Sequence, residues 1–140
     1  MLKSPCDSTI LVVDDEKNIR DALVKILNKE GYNTLSAAEG KEALNVLREK
    51  DVNLVLTDLK MPTMDGLELL TACKMIKPNV EVILITAHGT IEKAVSAIKD
   101  GAYDFITKPF KRKIITDVIN RAIAMQTLNV HDKLVQEKLL

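Results

Sequence analysis

Short apolar runs alternate along this chain with longer stretches whose apolar residues fall at helical spacing, and the pair recurs five times. Thr9 to Val13 is the first strand-length run. After it, Ile19, Ala22, Leu23, Ile26 and Leu27 share one helical face, and the pattern stops at Gly31. Asn33 to Ala37 is a weaker second strand, followed by a helix over about residues 41–50 with Ala43, Leu44 and Leu47 inward. Asn53 to Thr57 reads as a buried strand. A loop, Met61-Pro62-Thr63-Met64-Asp65-Gly66, leads to a third helix with Leu69, Leu70, Cys73 and Ile76 inward, ended by Pro78. Glu81 to Ile85 is the fourth strand. Thr90 can cap a fourth helix whose expected face is Ile91, Ala94, Val95 and Ile98, closed by Gly101. Tyr103 to Thr107 is the fifth strand, and a last helix starts after Pro109-Phe110. This alternation predicts an α/β fold: an open parallel sheet with helices on both faces and right-handed crossovers. Five units are too few for an eight-fold barrel.

In such a sheet the chemistry collects at the rim where strands end and helices begin. The first strand runs into Asp14-Asp15, the third into Asp58, the fourth into Thr86 and the fifth into Lys108-Pro109. One Asp after a strand is an ordinary helix cap. Three carboxylates, a hydroxyl and a Lys converging on one rim are a site. Two carboxylates ~5 Å apart repel by about 3 kcal/mol at an effective dielectric of 20, so the group needs cations. Lys108 supplies one. An all-oxygen acidic site also suits Mg²⁺, which can bind a phosphoryl oxygen as well. A carboxylate in that setting can act as a nucleophile toward phosphorus, with Thr86 and Lys108 on the phosphoryl oxygens. No Gly-rich phosphate loop is present in the sequence, so a nucleotide is not the expected donor.

Composition removes other classes. The 140 residues are enough for one domain with its own core, and 46% hydrophobic with 29% charged residues is a globular mix. Twenty basic residues balance twenty acidic ones, which argues against a nucleic-acid-binding domain. Aromatics are only 3%, too few for base-stacking platforms. Cys6 and Cys73 lie at no ligand spacing and read as free thiols, Cys73 in the core and Cys6 exposed. No apolar run reaches a membrane span, and the first residues lack the apolar stretch of a secretory signal, so the expected location is the cytoplasm.

Four segments carry a resemblance. Ile10-Leu-Val-Val-Asp14-Asp15-Glu16, Leu54-Val-Leu-Thr-Asp58-Leu-Lys-Met-Pro62-Thr-Met-Asp65-Gly66, Ile83-Leu-Ile-Thr86-Ala87-His88 and Gly101-Ala-Tyr-Asp-Phe105-Ile-Thr-Lys108-Pro109-Phe110 resemble the receiver domain of bacterial two-component response regulators. The resemblance covers roughly residues 8–124 and implies the flavodoxin-like strand order 2-1-3-4-5. It implies Asp58 as phospho-acceptor, and Asp14 and Asp15 as the pair holding Mg²⁺, Asp15 directly and Asp14 largely through water. The Lys60 backbone carbonyl is implied as a further ligand beside Asp58. Thr86 resembles the switch hydroxyl, Ala87 the small residue beside the phosphoryl group, Phe105 the rotating aromatic, and Lys108 the phosphate-pairing Lys with a cis bond to Pro109. Lys60 and His88 occupy positions that tune phosphoryl lifetime in the family, or are solvated loop residues. Residues 86–110 look most like regulators that activate transcription from enhancer-like sites with the alternative sigma factor. The implied partner is a sensor histidine kinase. DNA would be reached only through an output domain outside this chain, with no membrane and no enzymatic role beyond slow self-phosphorylation and self-dephosphorylation.

Three other readings of the residues compete with this one. A haloacid-dehalogenase-type phosphohydrolase normally needs an Asp two positions after its nucleophile, where this chain has Lys60. A flavin module on this fold would offer amides and hydroxyls where Asp14-Asp15-Glu16 stands. A phosphorylation-independent dimerisation module leaves the acidic set unexplained. The expected domain is 9–124, with a tail over 1–8 and a helical linker stub over 125–140. Lys111-Arg112-Lys113 reads as a solvated helix start or as charges at an interface. On the last helix Ile115, Val118, Ile119 and Ala122 suffice as an inward stripe, leaving Ile114, Ile123 and Met125 to be covered. Leu128 and Val135 follow at heptad spacing, broken by His131 or Asp132, so a homodimer through the last helix and its continuation competes with a frayed linker on a monomer.

Overall fold

A computed structural model of the chain describes residues 7–87 and 91–139, with side chains over 7–87 and 92–128. The elements are β1 (Thr9–Val13), α1 (Lys17–Lys29), β2 (Asn33–Ala37), α2 (Gly40–Glu49), β3 (Leu54–Asp58), α3 (Gly66–Ile76), β4 (Glu81–Thr86), α4 (Ile91–Lys99), β5 (Asp104–Thr107) and α5 (Arg112–Leu139). The five strands are parallel and ordered β2-β1-β3-β4-β5, as the flavodoxin-like resemblance implied. Burial follows strand position. The central β3 is buried throughout, whereas the edge strands β2 and β5 are partly exposed.

Side chains alternate between two cores because successive strand residues point to opposite faces. Leu11, Val13, Val55, Val82 and Leu84 pack with Leu44 and Leu47 of α2, Leu69, Leu70 and Cys73 of α3, and Ala97 of α4. Ile10, Val12, Leu54, Leu56, Ile83 and Ile85 pack with Leu23 and Leu27 of α1 and with Ile115, Val118, Ile119 and Ala122 of α5. Gly31 and Gly101, at φ 95° and 112°, follow α1 and α4 in the left-handed conformation that glycine adopts without strain. The third helix is entered through a reciprocal cap. Asp65 Oδ1 accepts from the Glu68 amide at 2.9 Å, and Glu68 Oε1 accepts from the Asp65 amide at 3.3 Å.

Two helix faces differ from the expectation. On α4 the buried residues are Ala94 and Ala97, while Val95 and Ile98 are 47% and 39% exposed. The helix lies on the sheet through its smallest side chains; the hydrophobicity pattern could not separate this phase from the expected one. Ile91's side chain and the expected cap Thr90 lie outside the described residues. On α5, Ile123 belongs to the core at 4% exposure and does not need an outside cover. Ile114, Met125 and Leu128 are about half exposed. The helix runs unbroken to Leu139, and its packing passes Ala124, since Gln126 is buried. Among the described residues no helix is long and apolar enough to cross a membrane.

Candidate functional site

The C-terminal ends of β1, β3, β4 and β5 form one rim, and the expected polar groups stand on it. Asp14 continues β1 by one residue: its amide donates to the Ala37 carbonyl at 3.2 Å. Its own carbonyl accepts from Arg20 Nη1 at 2.7 Å, and its Oδ1 accepts from the Glu16 amide at 2.8 Å. The residue is thereby held from three sides and fully buried, yet Oδ2 has no partner. Asp15 beside it is exposed. Asp58, the last residue of β3, is 7% exposed, and Lys108 Nζ lies 3.4 Å from its Oδ2. One carboxylate oxygen from each of Asp14, Asp15 and Asp58 lies within 4.8 Å of the others. Thr86 closes β4 opposite Thr107, is fully buried, and has an Oγ1 without a hydrogen-bond partner.

Burial is the main cause of the titration behaviour. It raises the Asp14 pKa against the lowering hydrogen bond from Glu16; the Asp58 carboxylate raises it further. Asp58 is likewise raised by burial, opposed by the Lys108 ammonium. Buried oxygens that hold charge and lack donors are unfavourable in isolation. Three carboxylates, oxygen ligands only, one of them with an oxygen (Asp14 Oδ2) that lacks a partner, fit a hard divalent cation of the Mg²⁺ kind.

The backbone shapes the rim as much as the side chains do. The Leu59 amide donates to the Ile85 carbonyl at 2.9 Å, and the Lys108 amide donates to the Thr86 carbonyl at 2.8 Å. The Lys108–Pro109 bond is cis, as expected. In the β3–α3 loop Thr63 has a positive φ of 70°. Phe105 lies next to Leu84 in the β4–β5 pairing and packs, partly buried, on the α2–α3–α4 side. The Lys60 side chain is exposed, as is Ala87. His88 lies outside the described residues.

Two contributors were not singled out from the sequence. Arg20 holds the Asp14 carbonyl; its only signal is a cation six residues after Asp14, on the first helix. Gly66 opens α3 with its amide donating to the Leu59 carbonyl at 2.7 Å. A Cβ there would stand 2.7 Å from the Asp58 carbonyl oxygen and 2.9 Å from Leu59 Cα, so glycine is required by close approach. In the sequence it looked like one more turn glycine.

Residues 10–120 match the family described as the response regulator receiver domain. The chain is similar to a protein of Rickettsia bellii named putative response regulator NtrX-like, at 45% identity over 85% of this chain and 25% of that protein. It is similar to sporulation initiation phosphotransferase F of Bacillus subtilis, at 38% identity over 84% of this chain and 95% of that one. Among solved structures, the receiver domain of NtrX from Brucella abortus superposes with a TM-score of 0.80 at 44% identity, covering 82% of this chain and 98% of that one. The chain spans about a quarter of the length of the NtrX-like relative. Other relatives carry the names GlrR and DctD, which agrees with the enhancer-binding type read from residues 86–110.

Proposed function

We propose a function from a plain premise: the chain belongs to the response regulator receiver domain family, whose members are signalling modules and not enzymes acting on outside substrates. In this reading Asp58 accepts a phosphoryl group from the phosphohistidine of a sensor histidine kinase or from a small acyl phosphate. A carboxylate oxygen of Asp58 forms the new P–O bond while the donor's P–N or P–O bond breaks and the leaving group keeps the electron pair. The supporting observation is the convergence of Asp58 with a Lys108 ammonium at 3.4 Å and with the carboxylates of Asp14 and Asp15, on a rim that also carries two buried oxygens without partners, Asp14 Oδ2 and Thr86 Oγ1.

Asp14, Asp15, Asp58 and the Lys60 backbone carbonyl would hold Mg²⁺. When bound, the ion neutralises carboxylate charge and binds a phosphoryl oxygen. Lys108 pairs with a second phosphoryl oxygen, and the Thr86 hydroxyl donates to a third. The added −1.5 to −2 or so of charge draws Thr86 toward it, and Phe105 takes the vacated space. The α4–β5–α5 surface then changes, and an attached or partner output, transcription in this reading, responds. About 5.5 kcal/mol of differential stabilisation moves such an equilibrium from 1% to 99%. Lys60 and His88 tune the phosphoryl lifetime. The exposed Ile114, Met125 and Leu128 support a homodimer through α5. The setting is the cytoplasm, with DNA reached through a separate output domain.

Incubation with acetyl phosphate and Mg²⁺ should add one acid- and base-labile phosphoryl group by intact mass, and none to Asp58→Asn. Undiminished labelling of that variant would sink the assignment. A chain that never labels, yet dimerises, would leave the phosphorylation-independent module in its place.

A further inference from the structure

The longest element carries, midway along its length, a polar contact that the switch does not use. Gln126, on α5, is 9% exposed, and its Nε2 donates to the Asn53 carbonyl at 2.6 Å and the Asn79 carbonyl at 2.7 Å. These carbonyls precede β3 and β4, so they sit on the sheet edge opposite the acidic rim. Asn53 is anchored in turn. Its amide donates to the Thr9 carbonyl at 2.9 Å, its Oδ1 accepts from the Thr9 amide at 2.8 Å, and its carbonyl also accepts from Glu81 at 3.1 Å. From Arg112 to Gln126, α5 rises about 21 Å, enough to cross the whole height of the sheet from the site edge to this one.

We propose that Gln126 is a positioning residue for signal output: a latch that fixes the direction in which the α5 continuation leaves the domain. One amide group ties the helix to two loops of the sheet. The helix beyond it is therefore aligned to the sheet and not merely to neighbouring side chains. A buried amide reaching two carbonyls is the group that does this; a carboxylate of the same shape cannot donate, and an apolar side chain gives up both hydrogen bonds between helix and loops. The continuation to Leu139 becomes a rigid lever carrying the position of α5 outward. This rests on reading the continuation as the route to an output. Its test uses the unphosphorylated chain, so a failure of phosphotransfer cannot be mistaken for a failure of the latch.

The experiment is pulsed dipolar distance measurement on the full chain with Cys6→Ser, spin-labelled at Met75→Cys on α3 and Asp132→Cys on α5 and diluted with unlabelled protein. The parent should give one narrow distance. Gln126→Met and Gln126→Glu should broaden it, with the population of released helix ends rising about tenfold or more for two lost hydrogen bonds. If both variants keep the narrow distribution while their urea midpoints fall, Gln126 is a stability contact only and the proposal is overturned. A broad distribution in the parent overturns it too. Should the variants fail to fold, amide exchange on the unmutated chain decides: protection through residue 126 is expected, and protection ending before Ala122 refutes the latch.

Discussion

Replacing Asp14 by Asn should stabilise the protein in the absence of divalent cations. The substitution keeps the Oδ1 acceptor that receives the Glu16 amide at 2.8 Å, and it changes Oδ2, an atom with no partner to lose. What disappears is a buried charge facing two others. At a separation of 4.8 Å and an effective dielectric of 20, each carboxylate pair repels by about 3 kcal/mol. The Asp15 share is smaller because that residue is exposed and screened. Lys108 already offsets part of the charge through Asp58. A net gain of about 1–3 kcal/mol at pH 7 remains. The pH dependence follows from the raised folded pKa of Asp14. A raised carboxyl binds its proton more tightly in the folded state. The parent is therefore penalised as pH climbs through the unfolded value near ~3.9, and the penalty is complete once pH passes the folded value. The advantage of Asn should grow as pH rises and vanish in acid below the unfolded value. Mg²⁺ should cancel most or all of that advantage: at a hundredfold excess over Kd a bound ligand adds about 2.7 kcal/mol, which the parent gains and the variant largely forgoes. Urea denaturation at the two pH values, with and without Mg²⁺, reads all four numbers. A less stable Asn variant at pH 7 without Mg²⁺, or equal Mg²⁺ gains in both proteins, would refute the electrostatic account.

Two further outcomes test the packing. Gly66→Ala should cost about 1–3 kcal/mol, because the new methyl meets backbone at Asp58 and Leu59 and neither can step aside; it should also slow labelling by acetyl phosphate, and a variant with parental stability and labelling rate would contradict the close approach. Burial raises Cys73 from 9.0 to about 12 and Tyr32 from 10.0 to about 12, so the folded state holds these protons longer than the unfolded chain and stability should fall as pH rises above about 9, by about 4 kcal/mol near pH 11. A denaturation midpoint that is flat between pH 8 and 11 would show that these groups do not stay buried and protonated.

The order of elements and the residues at the strand ends were legible in the sequence because both depend on local pattern. A buried parallel strand needs a short apolar run, and a helix on its face needs apolar residues at helical spacing. Asp14, Asp15, Asp58, Thr86 and Lys108 stood out because polar groups just after such runs can only lie on the rim of the sheet. Which phase α4 presents was not legible, since alanine is compatible with either side, and the sheet accepted the narrow Ala94–Ala97 face over the broader one. Helical spacing alone makes a four-residue stripe sufficient and points Ile123 outward, whereas the assembled core takes it as a fifth residue from α5. Arg20, Gly66 and Gln126 were invisible as site or anchoring residues for one shared reason. Each acts on the backbone of a segment distant or unremarkable in sequence: the Asp14 carbonyl, the Asp58–Leu59 peptide, and the Asn53 and Asn79 carbonyls. Backbone carbonyls are the same at every position, so no residue pattern marks which of them a distant side chain will reach. Only the assembled sheet, by bringing particular loops within reach of particular helices, decided that.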